Sequence, residues 1–281
     1  MTASPWLKRV VAIALEEDLG RGDITSECCV PADVRAAGEI VAKAKGVLAG
    51  MEAATEVARQ VDEGIGLEWR KTDGDALQPG DVVARVTGPG RSVLAFERTA
   101  LNFLQQLSGV ATLTRAFVEQ VAGAKAVVVD TRKTVPGLRM LQKAAVVAGG
   151  GRNHRFGLYD AVLIKDNHIC LAGGVAQALE RARAGAPFAA KVEIEVTTPA
   201  EAELAADLGA DIIMLDNMGP EAVRESLARI RGRALAELSG GVRLDTIRER
   251  AELGVDLISV GALTHSAPAL DLSLEITEWT R

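Results

Sequence analysis

"KVEIEVTTPAEAELAADLGADIIMLDN" (191–217) decides the fold class of this chain. It begins with a short apolar run around Glu195, continues with a helical stretch that ends at a glycine, and returns to a second apolar run that ends at Asp216. Near-continuous apolar runs are typical of parallel strands that are buried on both faces. A strand, a helix and a second strand in this order therefore predict a βα unit with a parallel sheet.

The same unit repeats on both sides of this stretch. The predicted strands end at Asp130, Lys165, Glu195, Asp216, Ser239 and Gly261. The last four of these ends are 21, 23 and 22 residues apart, which is about the length that a strand, a crossover helix and their turns need. A run of about six such units without a Rossmann glycine fingerprint favours an α/β barrel over an open sheet. In such barrels the functional groups lie at the C-terminal ends of the strands.

The chain before Gly123 has a different pattern. A helix is predicted from Pro5 to Leu19, with Ser4 as its N-cap and Gly20 at its exit. The segments predicted after it are a polar loop at 21–27, a strand at 38–50, a helix at 51–62 and a small antiparallel sheet at 66–90. Two helices should follow, at 93–107 and 110–122, with Ser108-Gly109 as the break between them.

Composition excludes several classes of function. The chain has 281 residues, a formal net charge of −6 and a pI near 5.3, so we expect no nucleic-acid partner and no binding to anionic membranes. The apolar stretch at 10–15 is too short to span a membrane and precedes three acidic residues, which predicts neither a signal peptide nor a membrane anchor. Three cysteines without CxxC spacing predict reduced thiols in a cytoplasmic protein.

One segment, 130–168, is cationic within this acidic chain. Its seven basic residues are Arg132, Lys133, Arg139, Lys143, Arg152, Arg155 and Lys165, and it also holds three aspartates and two of the three histidines. A solvated charge run is the ordinary explanation of such a segment. Here the cations alternate with apolar and glycine residues, and several follow predicted strand ends. This pattern favours a pocket for a polyanion, because arginine forks match carboxylates and phosphates.

Two further features of the predicted barrel mouth concern phosphate and metal. The glycine-containing loops "LSGGV" (238–242) and "SVGAL" (259–263) follow the last two strands, where barrels often bind phosphate, although they could also be ordinary turns. Glu195 and Asp216 should point into the same mouth. Carboxylates beside phosphates imply Mg²⁺. The alternative is that one or both of them pair with the nearby lysines.

Specific motifs then identify a family. The segment "DTRKTVPGLRMLQKAAVVAGGGRNHRFGLYDAVLIKDNHI" (130–169) closely resembles the core signature of the quinolinate phosphoribosyltransferases. The motifs that resemble the same family in the same order are "EDLGRGDITS", "ERTALNFLQQLSGVAT", "VEIEV", "IIMLDN", "LSGGV" and "DLISVGALTHS". Together they cover nearly the whole chain.

This resemblance implies a fold and a reaction. The expected fold is a type II phosphoribosyltransferase architecture, with an N-terminal α/β open-sandwich domain (1–109), an incomplete TIM-like α/β barrel (110–265) and a C-terminal tail (266–281) that packs on the N-terminal domain. The implied reaction converts quinolinate and phosphoribosyl pyrophosphate, with Mg²⁺, into nicotinate mononucleotide, pyrophosphate and CO₂ in de novo NAD biosynthesis. The family also implies a homodimer that shares its active sites, and it allows a higher oligomer.

The resemblance also assigns roles, position by position. Arg132, His154 and Arg155 match the binders of the quinolinate carboxylates. Lys133 and Lys165 match lysines between quinolinate and the pyrophosphoryl donor, and Glu195 and Asp216 match the carboxylates near the ribose hydroxyls and the metal. The 5′-phosphate site is matched by Ser239, Gly240, Gly241 and Gly261. Arg98 matches an arginine that is contributed across the dimer.

Three other functions stay open. A relative associated with molybdenum transport shares the fold but lacks the "LIKDNH" segment, which is present here at 163–168. A Schiff-base aldolase would use Lys165 at its strand end, and a non-catalytic nucleotide-binding homologue would keep the pocket without the reaction. The chain departs from the family's common Lys-Tyr-Ala-Val pattern at Ala144, where we expect a difference in packing and no loss of chemistry.

Overall fold

The structure, a computed structural model, describes residues 3–281. Its first elements are α1 (Pro5–Leu19), α2 (Ile24–Cys29), β1 (Arg35–Ala42), β2 (Gly46–Val47), α3 (Met51–Val61), β3 (Gly66–Trp69), β4 (Ala76–Leu77), β5 (Val82–Pro89), α4 (Gly90–Gln120), β6 (Val127–Val129) and α5 (Arg139–Ala148). They are followed by β7 (Val162–Ile164), α6 (Asp166–Ala172), α7 (Val175–Gly185), β8 (Val192–Val196), α8 (Pro199–Asp207), β9 (Ile212–Asp216), α9 (Pro220–Ile230), β10 (Leu235–Ser239), α10 (Ile247–Ala251), β11 (Leu257–Ser259), α11 (Ala262–His265) and β12 (Leu272–Thr280).

The described chain divides into two compact units. One unit contains the residues up to Arg115 together with Val135–Gly150 and Ser266–Arg281, and the other contains Ala116–Thr134 and Gly151–His265. The boundary expected from the sequence at 109/110 stays a prediction.

The first unit is built on an antiparallel sheet with the strand order β12-β1-β5-β3. The C-terminal strand β12 pairs with β1 from Leu272 to Thr280. Helix α1 forms as the sequence predicts, because the Ser4 side chain accepts the Leu7 N–H and Pro5 occupies the first helical position. The apolar residues of α1 that face inward are Leu7, Val11 and Leu15, all of which are buried. The mixed α/β character expected for this unit is confirmed.

The helix break predicted at Ser108-Gly109 is wrong. Helix α4 runs without interruption through both residues. The Ser108 hydroxyl is buried, donates to the Ala49 carbonyl and accepts the Ala49 N–H. At Gly109 the Pro268 carbonyl approaches so closely that an added Cβ would lie 2.1 Å from its oxygen. These small residues serve close packing on a continuous helix, where packing outweighs the low helix propensity of glycine.

The polar loop predicted at 21–27 is also partly wrong. Residues 24–29 form the short helix α2, whose N-cap is Asp23. One Asp23 carboxylate oxygen accepts the Ser26 N–H at 3.0 Å, which satisfies a backbone donor of the first turn. A six-residue helix is too short to give a periodic apolar pattern, so the sequence offered only the cap as a signal.

The second unit is a six-stranded parallel sheet with the order β6-β11-β10-β9-β8-β7. All six predicted strands are present, and the fold class of an incomplete TIM-like barrel is confirmed. Among the described residues, no hydrogen-bonded pairing joins β6 to β7, so these two strands are the edges of the sheet. Register places Asp216 opposite Ser239 and places Glu195 opposite Met214. Adjacent strands therefore bring their polar C-terminal residues to one edge of the sheet.

Candidate functional site

A cavity of about 580 Å³ opens at the C-terminal ends of the parallel strands. All of its lining residues belong to the second unit. Those predicted from the sequence are Arg132, Lys133, His154, Arg155, Lys165, Glu195, Asp216, Ser239, Gly240 and Gly241. Larger cavities exist in the first unit. The one beside α1 and α4, about 740 Å³, has no cationic side chain in its lining, and one of about 820 Å³ has two cations, Lys8 and Arg59, beside three glutamates. Charge therefore distinguishes the barrel cavity more clearly than volume does.

Four cationic side chains line this cavity, Arg132, Lys133, Arg155 and Lys165. Burial lowers the pKa of Arg155, and repulsion by the Arg132 charge lowers it further. The Arg155 Nη1 donates to the Ala161 carbonyl at 3.0 Å, whereas its buried Nε has no hydrogen-bond partner among the described residues. Two neighbouring cations that repel each other, one with an unused buried donor, are stabilised when an anion lies beside them.

Lys165 and Glu195 form an ion pair inside the cavity. The Lys165 Nζ lies 2.5 Å from the Glu195 Oε2. The sheet register explains this pair, because Ile164 is opposite Ile194 and the next residues along both strands are therefore adjacent. The Lys165 N–H also donates to the His168 Nδ1 at 3.0 Å, which fixes the first turn of α6. The alternative in which a carboxylate pairs with a lysine is thus realised at Glu195.

The glycine loop after β10 brings backbone close to the cavity. Gly240 and Gly241 both have positive φ, +93° and +58°, which glycine adopts at little cost. The Arg250 Nη1 donates to the Gly240 carbonyl at 2.7 Å and fixes the loop from outside. Gly261 is close to Lys133, whose Cδ would lie 3.0 Å from an added Cβ. The structure thus places Gly261 beside a cavity residue, although Gly261 is not part of the lining.

His154 lines the cavity with both ring nitrogens near protein atoms. Its Nδ1 accepts the Arg155 N–H at 2.7 Å, so the ring proton resides on Nε2. The Nε2 lies 2.9 Å from a Glu193 carboxylate oxygen and 3.6 Å from one of Glu237. The His154 N–H donates to the buried Asp130 carboxylate. The predicted role of His154 as a carboxylate binder stays a prediction.

Sequence reasoning missed a buried carboxylate pair, Glu193 and Glu237. Both side chains are almost completely buried, and burial together with the Glu193 charge raises the pKa of Glu237 to about 8. A signal was present, because each glutamate interrupts an apolar strand two residues before a predicted site residue, Glu195 or Ser239. Residues two apart on a strand share a face, so both glutamates lie on the face that carries the site.

Two groups of side chains could hold a metal ion. The first, formed by His154, Glu193 and Glu237, has its ligand atoms within 4.8 Å of one another. The His154 proton on Nε2 opposes metal binding there, because that nitrogen would have to be deprotonated. The second, formed by Glu195 and Asp216, offers carboxylate oxygens at the cavity surface. Hard oxygen ligands of this kind fit Mg²⁺, and the sequence-based expectation of Mg²⁺ at these two residues stays a prediction.

Other residues of the cationic segment and Arg98 do not line this cavity. Arg139 and the fully buried Lys143 belong to the first unit, and Arg152 is exposed. Arg98 is an exposed residue of α4, also in the first unit. Ala144 is exposed on α5, so a larger side chain at this position would meet solvent. Four of the seven cations thus converge on the cavity.

Comparison with known proteins adds independent observations. The models of the quinolinate phosphoribosyl transferase N-terminal and C-terminal domains match residues 23–108 and 110–275. A probable nicotinate-nucleotide pyrophosphorylase (carboxylating) of Bacillus subtilis is 42% identical over 96% of this chain and 93% of its own length. One from Archaeoglobus fulgidus is 44% identical over 92% of this chain and 99% of its own length.

Solved structures agree with these sequence matches. The structure of NadC from Streptococcus pyogenes has a TM-score of 0.94 and 42% identity, and the match covers 100% of this chain and 99% of that one. The nicotinate-nucleotide pyrophosphorylase from Francisella tularensis has a TM-score of 0.93 and 38% identity, with coverage of 99% and 98%.

Proposed function

This chain belongs to the quinolinate phosphoribosyltransferase family, and from that premise we propose that it is a decarboxylating pentosyltransferase of NAD biosynthesis. It transfers the phosphoribosyl group of phosphoribosyl pyrophosphate to quinolinate. The products are nicotinate mononucleotide, pyrophosphate and CO₂. The names of relatives that are about 40% identical support this function over a role in molybdenum transport.

The arginine pair in the cavity is the observation that carries the proposal. Quinolinate has two adjacent carboxylates, and its charge relieves the repulsion that lowers the pKa of Arg155 beside Arg132. The unpartnered Arg155 Nε supplies a donor for a carboxylate oxygen. His154 and Lys165 line the same cavity. An anionic pyridine thus explains why an acidic protein keeps a cationic cavity.

The C-terminal ends of β8, β9 and β10 suit the sugar. Asp216 and Ser239 are opposite each other in the sheet, so ribose hydroxyls and the 5′-phosphate can be bound by neighbouring strand ends. We assign the hydroxyls to Glu195 and Asp216 and the 5′-phosphate to Ser239, Gly240, Gly241 and Gly261. Gly240 and Gly241 have positive φ and no side chains, so the backbone of this loop can approach a phosphate closely.

Positioning and charge are sufficient for the chemistry. The quinolinate ring nitrogen attacks the anomeric carbon while the bond to pyrophosphate breaks, and Lys133 and Lys165 stabilise the departing oxygens. When the 2-carboxylate departs as CO₂, its electron pair stays on C2, where the positive charge of the adjacent quaternised nitrogen stabilises the resulting ylide. C2 finally takes up a proton from solvent. No covalent intermediate with a side chain is required.

The carboxylates Glu195 and Asp216 are the candidate holders of Mg²⁺. Lys165 and Asn217 each occupy one oxygen of these carboxylates, Glu195 Oε2 and Asp216 Oδ2, and each carboxylate retains a second oxygen for a ligand. Bound Mg²⁺ would supply positive charge near pyrophosphate. Direct and water-mediated contacts are both compatible with this donor set.

The proposal includes an assembly and a location. Arg98 of the partner subunit would contact quinolinate in a homodimer, which agrees with its exposure on α4. A cytoplasmic location belongs to the same proposal. Within residues 3–281 every helix is too short or too polar to cross a membrane.

One assay tests the proposed reaction. Purified protein is incubated with phosphoribosyl pyrophosphate, Mg²⁺ and quinolinate labelled in the 2-carboxylate, and mononucleotide and labelled CO₂ are measured together. We expect equal amounts of both products, a matched decrease of both at low quinolinate concentration in Arg155→Ala, and retention in the control Arg152→Ala, whose side chain is exposed outside the cavity. Absence of turnover would favour the non-catalytic homologue. Borohydride trapping of a carbonyl substrate on Lys165 would favour the aldolase.

A further inference from the structure

Asn217 has an unusual backbone conformation beside the candidate sugar site. Its φ is +52°, and among the described residues Arg231 is the only other non-glycine residue with positive φ. Arg231 caps the C-terminus of α9, a common place for this conformation. Asn217 instead follows β9 directly and lines the cavity. Non-glycine residues in this region store strain, which is commonly found at functional sites.

The contacts of Asn217 join two parts of the site. Its Nδ2 donates to the Asp216 Oδ2 at 2.6 Å, and its N–H donates to the Ser239 carbonyl at 3.1 Å. Its side chain also fills the space beside Gly240. A Cβ at Gly240 would lie 2.1 Å from the Asn217 Oδ1 and 3.0 Å from its N, so this position requires glycine.

This geometry leads to a role that none of the matched motifs assigns. We propose that Asn217 is a positioning residue for the phosphoribosyl donor: it holds the Asp216 carboxylate and the 239–241 loop at a fixed spacing. The inference rests on the proposed function, in which Asp216 binds a ribose hydroxyl and the loop binds the 5′-phosphate of the same molecule. A neutral amide suits this position, because it donates to Asp216 without adding charge and leaves the second Asp216 oxygen for a ligand.

Two variants distinguish the contribution of the Asn217 side-chain amide from that of its backbone conformation. Asn217→Asp keeps the shape and tolerates positive φ, but it replaces the donor with a second carboxylate beside Asp216. Asn217→Gly relaxes the backbone and removes the side chain from Gly240. Arg231→Gly is the matched control, since it changes the other non-glycine residue with positive φ, at the end of α9.

Binding of ribose 5-phosphate, measured by calorimetry without metal or quinolinate, tests the role. We expect both Asn217 variants to raise the Kd of ribose 5-phosphate by about tenfold or more, as loss of a hydrogen bond to a charged group predicts. The Kd of quinolinate should stay within about twofold of the wild-type value. Arg231→Gly should leave both constants unchanged. Wild-type affinity in both Asn217 variants, an equal loss of quinolinate affinity, or failure of the wild type to bind ribose 5-phosphate would each overturn the proposal. Failure of the proposed function is a separate result, read from wild-type turnover of quinolinate.

Discussion

Replacement of the buried Glu237 by glutamine should make the stability of the protein less sensitive to pH. In the folded chain, burial and the Glu193 charge raise the pKa of Glu237 from 4.5 to about 8, while His154, Ser259 and Lys165 oppose the shift. Folded Glu237 thus keeps its proton between these two pH values, whereas unfolded Glu237 loses it. Because unfolding releases a proton in this range, the stability from this group is fully present below pH 4.5 and is lost as pH rises toward 8.

The magnitude follows from linkage. One bound proton changes the free energy of unfolding by about 1.4 kcal/mol for each pH unit, so the wild type should lose roughly 2 to 3 kcal/mol from this group between pH 5.5 and 7.5. The amide introduced by Glu237→Gln cannot ionise, so this variant should lose none of that stability. The variant should therefore be close to the wild type in stability at pH 5.5 and should gain on it by about that amount at pH 7.5.

Urea unfolding at a series of pH values measures this difference. The free energy of unfolding of Glu237→Gln is compared with that of the wild type at fixed protein concentration. Glu180→Gln is the matched control, because Glu180 is exposed on α7 and the change is the same replacement of a carboxylate by an amide outside any buried site. A constant difference between Glu237→Gln and the wild type from pH 5.5 to 7.5 would refute the assignment of a protonated, buried Glu237.

Three further outcomes follow from named contacts. Arg155→Ala should raise the KM for quinolinate by about 10- to 100-fold in steady-state kinetics, since a charge-assisted hydrogen bond is worth roughly 1.5 to 3 kcal/mol, and an unchanged KM would remove Arg155 from the carboxylate site. Gly109→Ala should destabilise the protein by about 1 to 3 kcal/mol in thermal unfolding, because its Cβ would overlap the Pro268 carbonyl. Gly185→Ala, where nothing lies within 4 Å, should be neutral, and equal effects of these two glycine changes would contradict the packing argument. Ser4→Ala should cost about 1 kcal/mol of stability through loss of the α1 N-cap, and an unchanged melting temperature would show that this cap does not contribute.

The parallel strands were predictable because each is a buried apolar run with a polar end. Hydrophobic pattern fixes such runs, and the regular spacing from Glu195 to Gly261 reports the length of a βα unit. The break predicted at Ser108-Gly109 failed for a physical reason. Glycine has the same local propensity whether it ends a helix or lets a distant carbonyl approach it, and the approach of Pro268 comes from a segment far away in the chain.

In the candidate site, too, contacts between segments that are far apart in the chain could not be predicted from the sequence. Strand ends and cations can be recognised in a sequence. Four of the seven cations of the segment 130–168 do line one cavity, as the sequence predicted. The segment itself could not show that Lys143 is buried in the other unit, or that Glu195 pairs with Lys165. Glu237 was missed because a single acidic residue within a predicted strand does not show whether its side chain is buried. Its environment depends on Glu193 and His154, which come from different elements.

A crystal structure of the protein with quinolinate bound would show whether the cationic cavity is the binding site for the pyridine carboxylates. The two carboxylates should lie in the barrel cavity, with the guanidinium groups of Arg132 and Arg155 within hydrogen-bonding distance of their oxygens. Quinolinate bound elsewhere, or these two guanidinium groups directed away from its carboxylates, would contradict the account.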